Sequence, residues 1–355
     1  MNGSFLDLLK IRTLVSDGAM GTMLQKHGLL AGSCPEEWNL SHPDIISRIH
    51  QQYYDAGADL VETNTFGANR LRLGFHGHGG KVVEFNRRAA ELACSVCPEG
   101  KFVAGSVGPT GELLEPLGTI KFSQLVDVFQ EQISALQAGG VNLIIIETMA
   151  DLQEAQAALT AAKNIAPALP VAVTMTFEKS AADFRTMMGT APANMISVLT
   201  AEGADLIGAN CGLGMDEMIG IMTEFRSLCT VPLIAQANAG LPKWDGQKNV
   251  YDETPAQRGR SVLKLLELNI NVIGGCCGTT PEHIQAIRQA VDSRFVDFLE
   301  NPVSFHHQFL PRSHLFSPAG RTDSKLQYCN GRTRKHIRRP RRHPRQVCRL
   351  SARIW

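Results

Sequence analysis

The sequence has no long apolar run and no secretory leader. No stretch approaches about 18 uninterrupted apolar residues, and the N-terminus lacks the basic-then-apolar pattern of a signal peptide. Hydrophobic residues make up 44% of the chain and charged residues 19%, which is ordinary for a globular enzyme. We therefore expect a cytoplasmic protein with no membrane-spanning helix.

Acidic residues are nearly missing from the C-terminal segment. Residues 301–355 hold eleven Arg and two Lys but one acidic residue, Asp323, whereas the whole chain has a net charge of only +1. The sequence thus predicts an acidic domain over residues 1–298 and a basic, disordered tail over residues 299–355. The tail could bind nucleic acid, an acidic partner or a membrane surface, or it could be an out-of-frame gene end without function. We favour the latter and expect nucleic acid as a partner only through the tail.

A short sequence motif, which we call the recurring phrase, occurs four times in the acidic domain. Each copy has a Gly or Asn where a helix would stop, then a polar residue, then a short apolar run that ends in polar residues. This pattern predicts a helix C-terminus that leads into a buried parallel strand. The copies are residues 56–64, 139–148, 202–211 and 268–277.

Four more segments have the composition of strands, and helical periodicity fills most of the intervals. Eight strands alternating with helices over about 290 residues predict an α/β fold, a single-domain (β/α)8 TIM barrel. An open doubly wound sheet is the alternative, but residues 18–22 after the first strand do not match its G-x-G-x-x-G fingerprint. The added strands are residues 13–17, 102–107, 171–176 and 233–238, and two clear helices are 122–137 and 255–268, the latter with Thr254 as N-cap.

The carboxyl ends of barrel strands form the functional face, and three cysteines lie there. Nine cysteines in a cytoplasmic chain indicate metal or thiol chemistry rather than disulfides. Cys211 ends the sixth strand, and Cys276 and Cys277 end the eighth. Neighbouring residues on a strand face opposite ways, so this pair can share a metal only where glycines (Gly274, Gly275, Gly278) let the chain curl.

Three thiolates and one open position suit a zinc ion that activates a small thiol for methyl transfer. Other interpretations stay open at this point. The cysteines could be small buried apolar residues, the vicinal pair could be redox-active, or the zinc could activate water, although hydrolytic sites more often use His and carboxylates.

Motifs at nearly every strand end resemble the homocysteine S-methyltransferase family, and within it the homocysteine-binding module of cobalamin-dependent methionine synthases. The resemblance covers about residues 10–295. The motifs are Asp17-Gly18-Ala19-Met20-Gly21-Thr22, Glu62-Thr63-Asn64-Thr65-Phe66-Gly67-Ala68-Asn69, Gly105-Ser106-Val107-Gly108-Pro109-Thr110-Gly111, Gly208-Ala209-Asn210-Cys211 and Gly274-Gly275-Cys276-Cys277-Gly278-Thr279-Thr280-Pro281-Glu282-His283.

The resemblance implies a role for each matched residue. Cys211, Cys276 and Cys277 would be the catalytic zinc ligands. Asp17 and Glu147 would hold the amino group of homocysteine, which agrees with the affinity of carboxylates for an ammonium ion. Gly18 and the backbone of Ser106 and Val107 would lie near the substrate carboxylate, and Asn238 would lie at the metal, where it could fill the vacant position without substrate.

The implied activity is zinc-dependent transfer of a methyl group to homocysteine, which gives methionine. The segment from Asp17 to Thr22 resembles the cobalamin-linked branch of the family more than the betaine or S-methylmethionine branches, so we expect methylcobalamin as the methyl donor. Because the sequence contains no Asp-x-His-x-x-Gly corrinoid signature, we expect a separate corrinoid protein to supply it. Betaine or S-methylmethionine acting directly, a partner-dependent thiol-binding subunit, and a thiol acceptor other than homocysteine are the alternatives.

Overall fold

Eight parallel strands form a closed ring in the computed structural model, which describes residues 4–180, 183–246 and 249–300. Each strand pairs with its neighbours in chain order. β1 also pairs with β8, and a bridge between Ser16 and Leu60 joins β1 to β2. The ring confirms the predicted (β/α)8 barrel and excludes the open sheet. The strands are β1 Leu14–Val15, β2 Leu60–Glu62, β3 Phe102–Val107, β4 Leu143–Met149, β5 Val171–Met175, β6 Leu206–Asn210, β7 Leu233–Ala237 and β8 Val272–Gly275.

Helices connect successive strands around the outside of the ring. The two predicted helices are confirmed, as α7 and α11, and the Thr254 hydroxyl accepts the Gln257 N–H at 3.3 Å as the predicted N-cap. Two short antiparallel ribbons, Glu178–Lys179 with Phe184–Arg185 and Lys243–Trp244 with Asn249–Val250, follow β5 and β7. The helices are α1 Phe5–Leu8, α2 Met20–Lys26, α3 Trp38–Ser41, α4 Pro43–Asp55, α5 Arg70–Phe75, α6 Val82–Ser95, α7 Phe122–Ala138, α8 Leu152–Ile165, α9 Pro192–Ala201, α10 Met215–Leu228, α11 Pro255–Glu267 and α12 Pro281–Glu300, with 3-10 turns at Pro35–Glu37 and Gly79–Lys81.

The helix-stop residue and the polar residue of the recurring phrase each have a structural role. The residue predicted to stop the helix has a positive φ in all four copies, between 54° and 101°. The polar residue that follows stands before an even-numbered strand, and its side-chain oxygen accepts the first or second N–H of the preceding odd-numbered strand. The pairs are Asp59 with Val15 at 2.9 Å, Asn142 with Val103 at 2.7 Å, Asp205 with Val171 at 2.9 Å and Asn271 with Leu233 at 2.9 Å.

The first residue of each even strand points into the barrel and builds an apolar floor. Leu60, Leu143, Leu206 and Val272 occupy this position and belong to one buried cluster. Phe5 of α1 closes the amino end of the barrel, with its ring 5.3 Å from that of Phe102 in an edge-to-face contact. Polar side chains can therefore enter the interior only towards the carboxyl end.

The barrel is one compact unit that ends at Arg294. A second unit begins at Phe295, and of it the structure describes only the helical backbone to Glu300. The predicted basic tail, residues 299–355, lies almost wholly outside the described residues and stays a prediction. Among the helices that are described, none is long and apolar enough to cross a membrane.

His50 on α4 should make the barrel sensitive to acid. It is fully buried, neither ring nitrogen has a hydrogen-bond partner among the described residues, and burial lowers its pKa to about 4. The unfolded chain binds a proton near pH 6.5 and the folded chain does not, so stability falls between pH 6.5 and 4, by up to about 3 kcal/mol.

We therefore expect His50→Leu to remove this pH dependence. Urea unfolding at pH 7 and at pH 4.5 measures it, and the free-energy advantage of the variant over the wild type should grow towards low pH. His76→Gln at an exposed position is the control. Parallel pH dependences of wild type and His50→Leu would contradict the expectation.

Candidate metal and amino-acid site

Three thiols meet at the carboxyl end of the barrel. The Sγ atoms of Cys211, Cys276 and Cys277 all lie within 4.8 Å of one another, and those of Cys211 and Cys277 are 3.8 Å apart. Zinc with Zn–S bonds of ~2.3 Å in a tetrahedral arrangement separates its sulfur ligands by about 3.8 Å. The donor set and its spacing therefore fit a four-coordinate zinc ion with three protein ligands.

The end of β7 lies between the two cysteine-bearing strands and bonds to both. On one side the Cys211 N–H donates to the Gln236 carbonyl at 3.1 Å. On the other side the Cys276 N–H donates to the Ala237 carbonyl and the Ala239 N–H donates to the Cys277 carbonyl, each at 2.9 Å. This backbone ladder brings together thiols that are far apart in sequence.

The chain curls at the cysteines, but not only through the expected glycines. Gly278 has the positive φ that the prediction assigned to it, at 78°. Gly274 does not; a Cβ atom there would lie 1.8 Å from the Ser16 hydroxyl, so glycine is needed for close approach. After β6, Cys211 itself takes φ 56°, a conformation that costs an ordinary residue free energy and recurs at functional sites.

The thiols act on one another electrostatically. Hydrogen bonds from Cys211 and Cys276, together with one from Tyr251, hold the pKa of the Cys277 thiol well below its usual value. Its hydrogen bonds to Cys211 and Cys277 raise the pKa of Cys276. Tyr251 is thus a contributor to the cluster that the sequence did not reveal.

A buried amide, that of Asn238, follows β7, and a buried guanidinium, that of Arg258, bonds to the same segment. The Asn238 Oδ1 atom is buried and has no hydrogen-bond partner among the described residues, so it is available as a ligand. Arg258 is fully buried and donates to the Asn238 carbonyl at 2.7 Å, the Ala237 carbonyl at 3.3 Å and the Glu253 carboxylate at 2.9 Å. Arg258 therefore fixes the end of β7, on which the thiol cluster is built.

Three carboxyl groups line the interior of the same mouth. Asp17 accepts the Glu62 N–H at 2.9 Å through Oδ2, while its Oδ1 is buried and without a partner among the described residues. Burial raises the pKa of Asp17, of Glu62 and of Glu147. Repulsion from the Glu147 and Asp17 carboxyl groups raises the pKa of Glu62 further.

Asn210 connects the carboxyl groups to the thiols. Its Nδ2 donates to Glu147 at 3.1 Å and to the Thr148 hydroxyl at 2.7 Å, and its Oδ1 accepts the Thr148 N–H and the Thr174 hydroxyl, both at 2.8 Å. Thr148 has φ 60°, so this clamp holds an unfavourable backbone conformation. Cys211 is the next residue in the chain. The residue that orients Glu147 and a candidate zinc ligand are therefore joined directly by one peptide bond.

The residues expected near a substrate carboxylate have other contacts in this structure. The Ser106 hydroxyl donates to Glu147 at 2.5 Å, and its N–H donates to the Thr63 hydroxyl at 3.1 Å. Gly18 packs against Thr279, whose carbonyl would lie 2.8 Å from an added Cβ atom, and Val107 is fully buried. Their role in binding a carboxylate stays a prediction.

Residues 14–291, which are most of the chain, match the sequence profile of the family described as homocysteine S-methyltransferase. The chain belongs to this family. Methionine synthases of Mycobacterium leprae and Mycobacterium tuberculosis are 32% and 31% identical over 303 residues, which cover 81% of the chain but 25% of each relative. The chain thus spans about a quarter of the length of these curated relatives.

Two solved structures of methyltransferases share the fold. The metallated form of the homocysteine methyltransferase MmuM from Escherichia coli aligns with a TM-score of 0.67 at 22% identity, and covers 80% of this chain and 98% of its own. A methyltransferase from Methanosarcina mazei aligns with a TM-score of 0.52 at 10% identity, covering 82% and 97%. At these identities the likeness concerns the barrel alone.

Arg258→Met should destabilise the barrel by about 3 kcal/mol, because it leaves the Glu253 carboxylate and two carbonyls without their donor. Urea unfolding at pH 7 measures the loss. Adding Glu253→Gln to the variant should restore part of it, since the unpaired charge disappears. A loss below about 0.5 kcal/mol, or no recovery in the double variant, would show that the ion pair does not secure the end of β7.

Proposed function

We propose that the protein is a zinc-dependent enzyme that transfers a methyl group to the thiol of homocysteine, giving methionine. The observation that carries the proposal is the meeting of two complementary sites in one barrel mouth. A three-cysteine cluster suits a soft metal and a thiol, and a layer of carboxyl groups without a cation suits an ammonium ion. An amino-acid thiol offers both groups on one molecule.

At the sulfur end, Cys211, Cys276 and Cys277 would hold the zinc as the catalytic ligand set, and Asn238 would occupy the fourth position before substrate binds. When bound, zinc supplies positive charge that keeps an alkyl thiol as the thiolate at neutral pH, where it is otherwise mostly protonated. By holding the zinc, the three cysteines would also orient the substrate sulfur.

In the part of the site that would face the substrate amino group, Asp17 and Glu147 would hold the ammonium. Support comes from the unpartnered Asp17 Oδ1 atom and from Glu147, whose two oxygens already accept donors from Ser106 and Asn210 and are thereby oriented. Gly18, Ser106 and Val107 are proposed to lie near the substrate carboxylate.

The transfer itself forms a carbon–sulfur bond and breaks the bond between the methyl group and its donor. The thiol proton goes to solvent, and the electron pair of the broken bond stays with the donor. We propose methylcobalamin on a separate corrinoid protein as that donor, because the curated relatives are methionine synthases and the residues 17–22 resemble the cobalamin-linked branch. The seven cysteines that the structure describes are all free, which suits a reducing, cytoplasmic setting.

Purified protein should contain about one zinc per chain, and Cys276→Ala should lose it, because two thiolates with one open face hold zinc far more weakly than three. Metal content is measured by mass spectrometry after dialysis. Cys229→Ala, a cysteine outside the cluster, is the matched control and should keep the zinc. Metal-free protein that forms methionine would refute the proposal.

Methionine formation should occur with methylcobalamin, free or on an added corrinoid protein, and not with betaine or S-methylmethionine. The three donors are compared in parallel with homocysteine as acceptor, and methionine is quantified by mass spectrometry. Turnover with betaine or S-methylmethionine would replace the proposed donor. Turnover that strictly requires an added corrinoid protein would identify a partner-dependent subunit.

A further inference from the structure

The side chain of Gln236, on β7, brings a buried amide into the interior of the barrel mouth. Its Nε2 atom donates to the Ser16 hydroxyl at 3.2 Å and to Glu62 Oε1 at 2.5 Å. A primary amide has two N–H groups, so these contacts use both of them and fix which end of the amide is the oxygen. That oxygen, Oε1, is buried and has no hydrogen-bond partner among the described residues. Because a buried acceptor without a donor costs free energy, we expect a donor from outside the chain.

The neighbours of Gln236 in the ring do not supply this donor. The residue level with it on β6 is Asn210, whose two amide N–H groups are already used. The residue level with it on β8 is Gly274, which has no side chain. Two residues earlier on the same face of β7, Ile234 belongs to the buried cluster that forms the apolar floor. The donor is therefore expected from the carboxyl end of the barrel, by which a ligand enters.

Gln236 lies between the groups that hold the two carboxylates assigned to the substrate ammonium. On one side, Asn210 donates to Glu147 at 3.1 Å. On the other side, Glu62 accepts the Gln236 amide through its carboxyl group and donates its own N–H to Asp17 Oδ2 at 2.9 Å. Asp17 Oδ1 is likewise buried and without a partner among the described residues. Two unpartnered acceptor oxygens thus accompany Glu147 in this part of the mouth.

We propose that Gln236 is a substrate-binding residue, whose Oε1 atom accepts one N–H of the substrate ammonium. A primary ammonium has three N–H donors, and Asp17 and Glu147 provide acceptors for two of them. Gln236 provides the third, so the site selects an amino-acid thiol with an unsubstituted amino group. This inference rests on the proposed function for the identity of the ligand and adds a residue that determines its specificity.

The backbone of Gln236 serves the thiol cluster, and its side chain can be changed separately. The Gln236 carbonyl accepts the Cys211 N–H at 3.1 Å. A substitution of the side chain leaves this carbonyl in place, so zinc should stay bound. Zinc content therefore separates the loss of an acceptor for the ammonium from damage to the end of β7.

Calorimetric binding of two thiols to the zinc-loaded protein tests the proposal. Homocysteine carries the ammonium and 4-mercaptobutanoate lacks it, so the ratio of their affinities reports on the amino-group site. Gln236→Met keeps the length of the side chain but removes the amide. It should lower the ratio about tenfold, the effect of one hydrogen bond to a charged group, and should keep one zinc per chain. Gln236→Leu is a second variant without the amide and should behave in the same way.

Gln236→Glu separates the acceptor of the amide from its donor. A glutamate offers an acceptor oxygen to the ammonium in either protonation state, so the ratio should equal or exceed that of the wild type. A ratio as low as that of Gln236→Met would show that Gln236 acts only by donating to Glu62, and would overturn the proposal.

Gln132→Met is the matched control and should leave the ratio unchanged. Gln132 is equally buried, and its Oε1 atom also lacks a partner among the described residues, but it lies on α7, outside the ring of strands.

The outcomes separate this inference from the proposed function. An unchanged ratio in Gln236→Met, with both thiols still bound, would assign the oxygen to an ordered water and overturn the inference alone. Loss of zinc from all three Gln236 variants would show that the side chain only supports β7, and would overturn it too. Failure of the wild type to bind either thiol would refute the proposed function and with it the role of Gln236.

Discussion

Backbone hydrogen bonds on both edges of the end of β7 are the contacts on which the thiol cluster depends. Cys211 bonds to one edge, and Cys276 and Cys277 bond to the other. The cysteines meet because β6, β7 and β8 are neighbours in the ring, and a parallel ring places all carboxyl ends at one face. Arg258 secures the same segment from behind by bonding to the carbonyls of Ala237 and Asn238.

The two ends of the barrel treat buried carboxylates in opposite ways. At the amino end, Asp59 caps β1 and is paired with three cations, Lys101 at 2.8 Å and Arg12 and Arg288 at 3.1 Å. At the carboxyl end, Asp17 is equally buried but has no ion pair among the described residues. A charge that is compensated within the chain stabilises the fold, whereas an uncompensated one can be tolerated only where a ligand or a proton compensates it.

The barrel and the ends of its strands could be predicted from the sequence because the recurring phrase encodes both the helix stop and the strand cap. The cysteine cluster followed from strand order alone. Glu62 and Gln236 were missed as site residues because strands of a parallel barrel are read as apolar runs, although alternation places both inside. Nothing in the sequence marks Arg258 as the residue behind Asn238, or gives Cys211 its positive φ, since both depend on contacts between distant segments.

Rigid backbone sets the spacing between the carboxyl groups and the thiol cluster of the site. Asn210 uses both of its amide atoms to hold Glu147 and Thr148, and the next residue carries a thiol of the cluster. Loops could not fix two chemically different subsites with the same precision, because loops carry fewer buried contacts. Because one strand end carries both Asn210 and Cys211, the barrel backbone fixes the distance between the two subsites. It thereby sets the length of a ligand that could reach both.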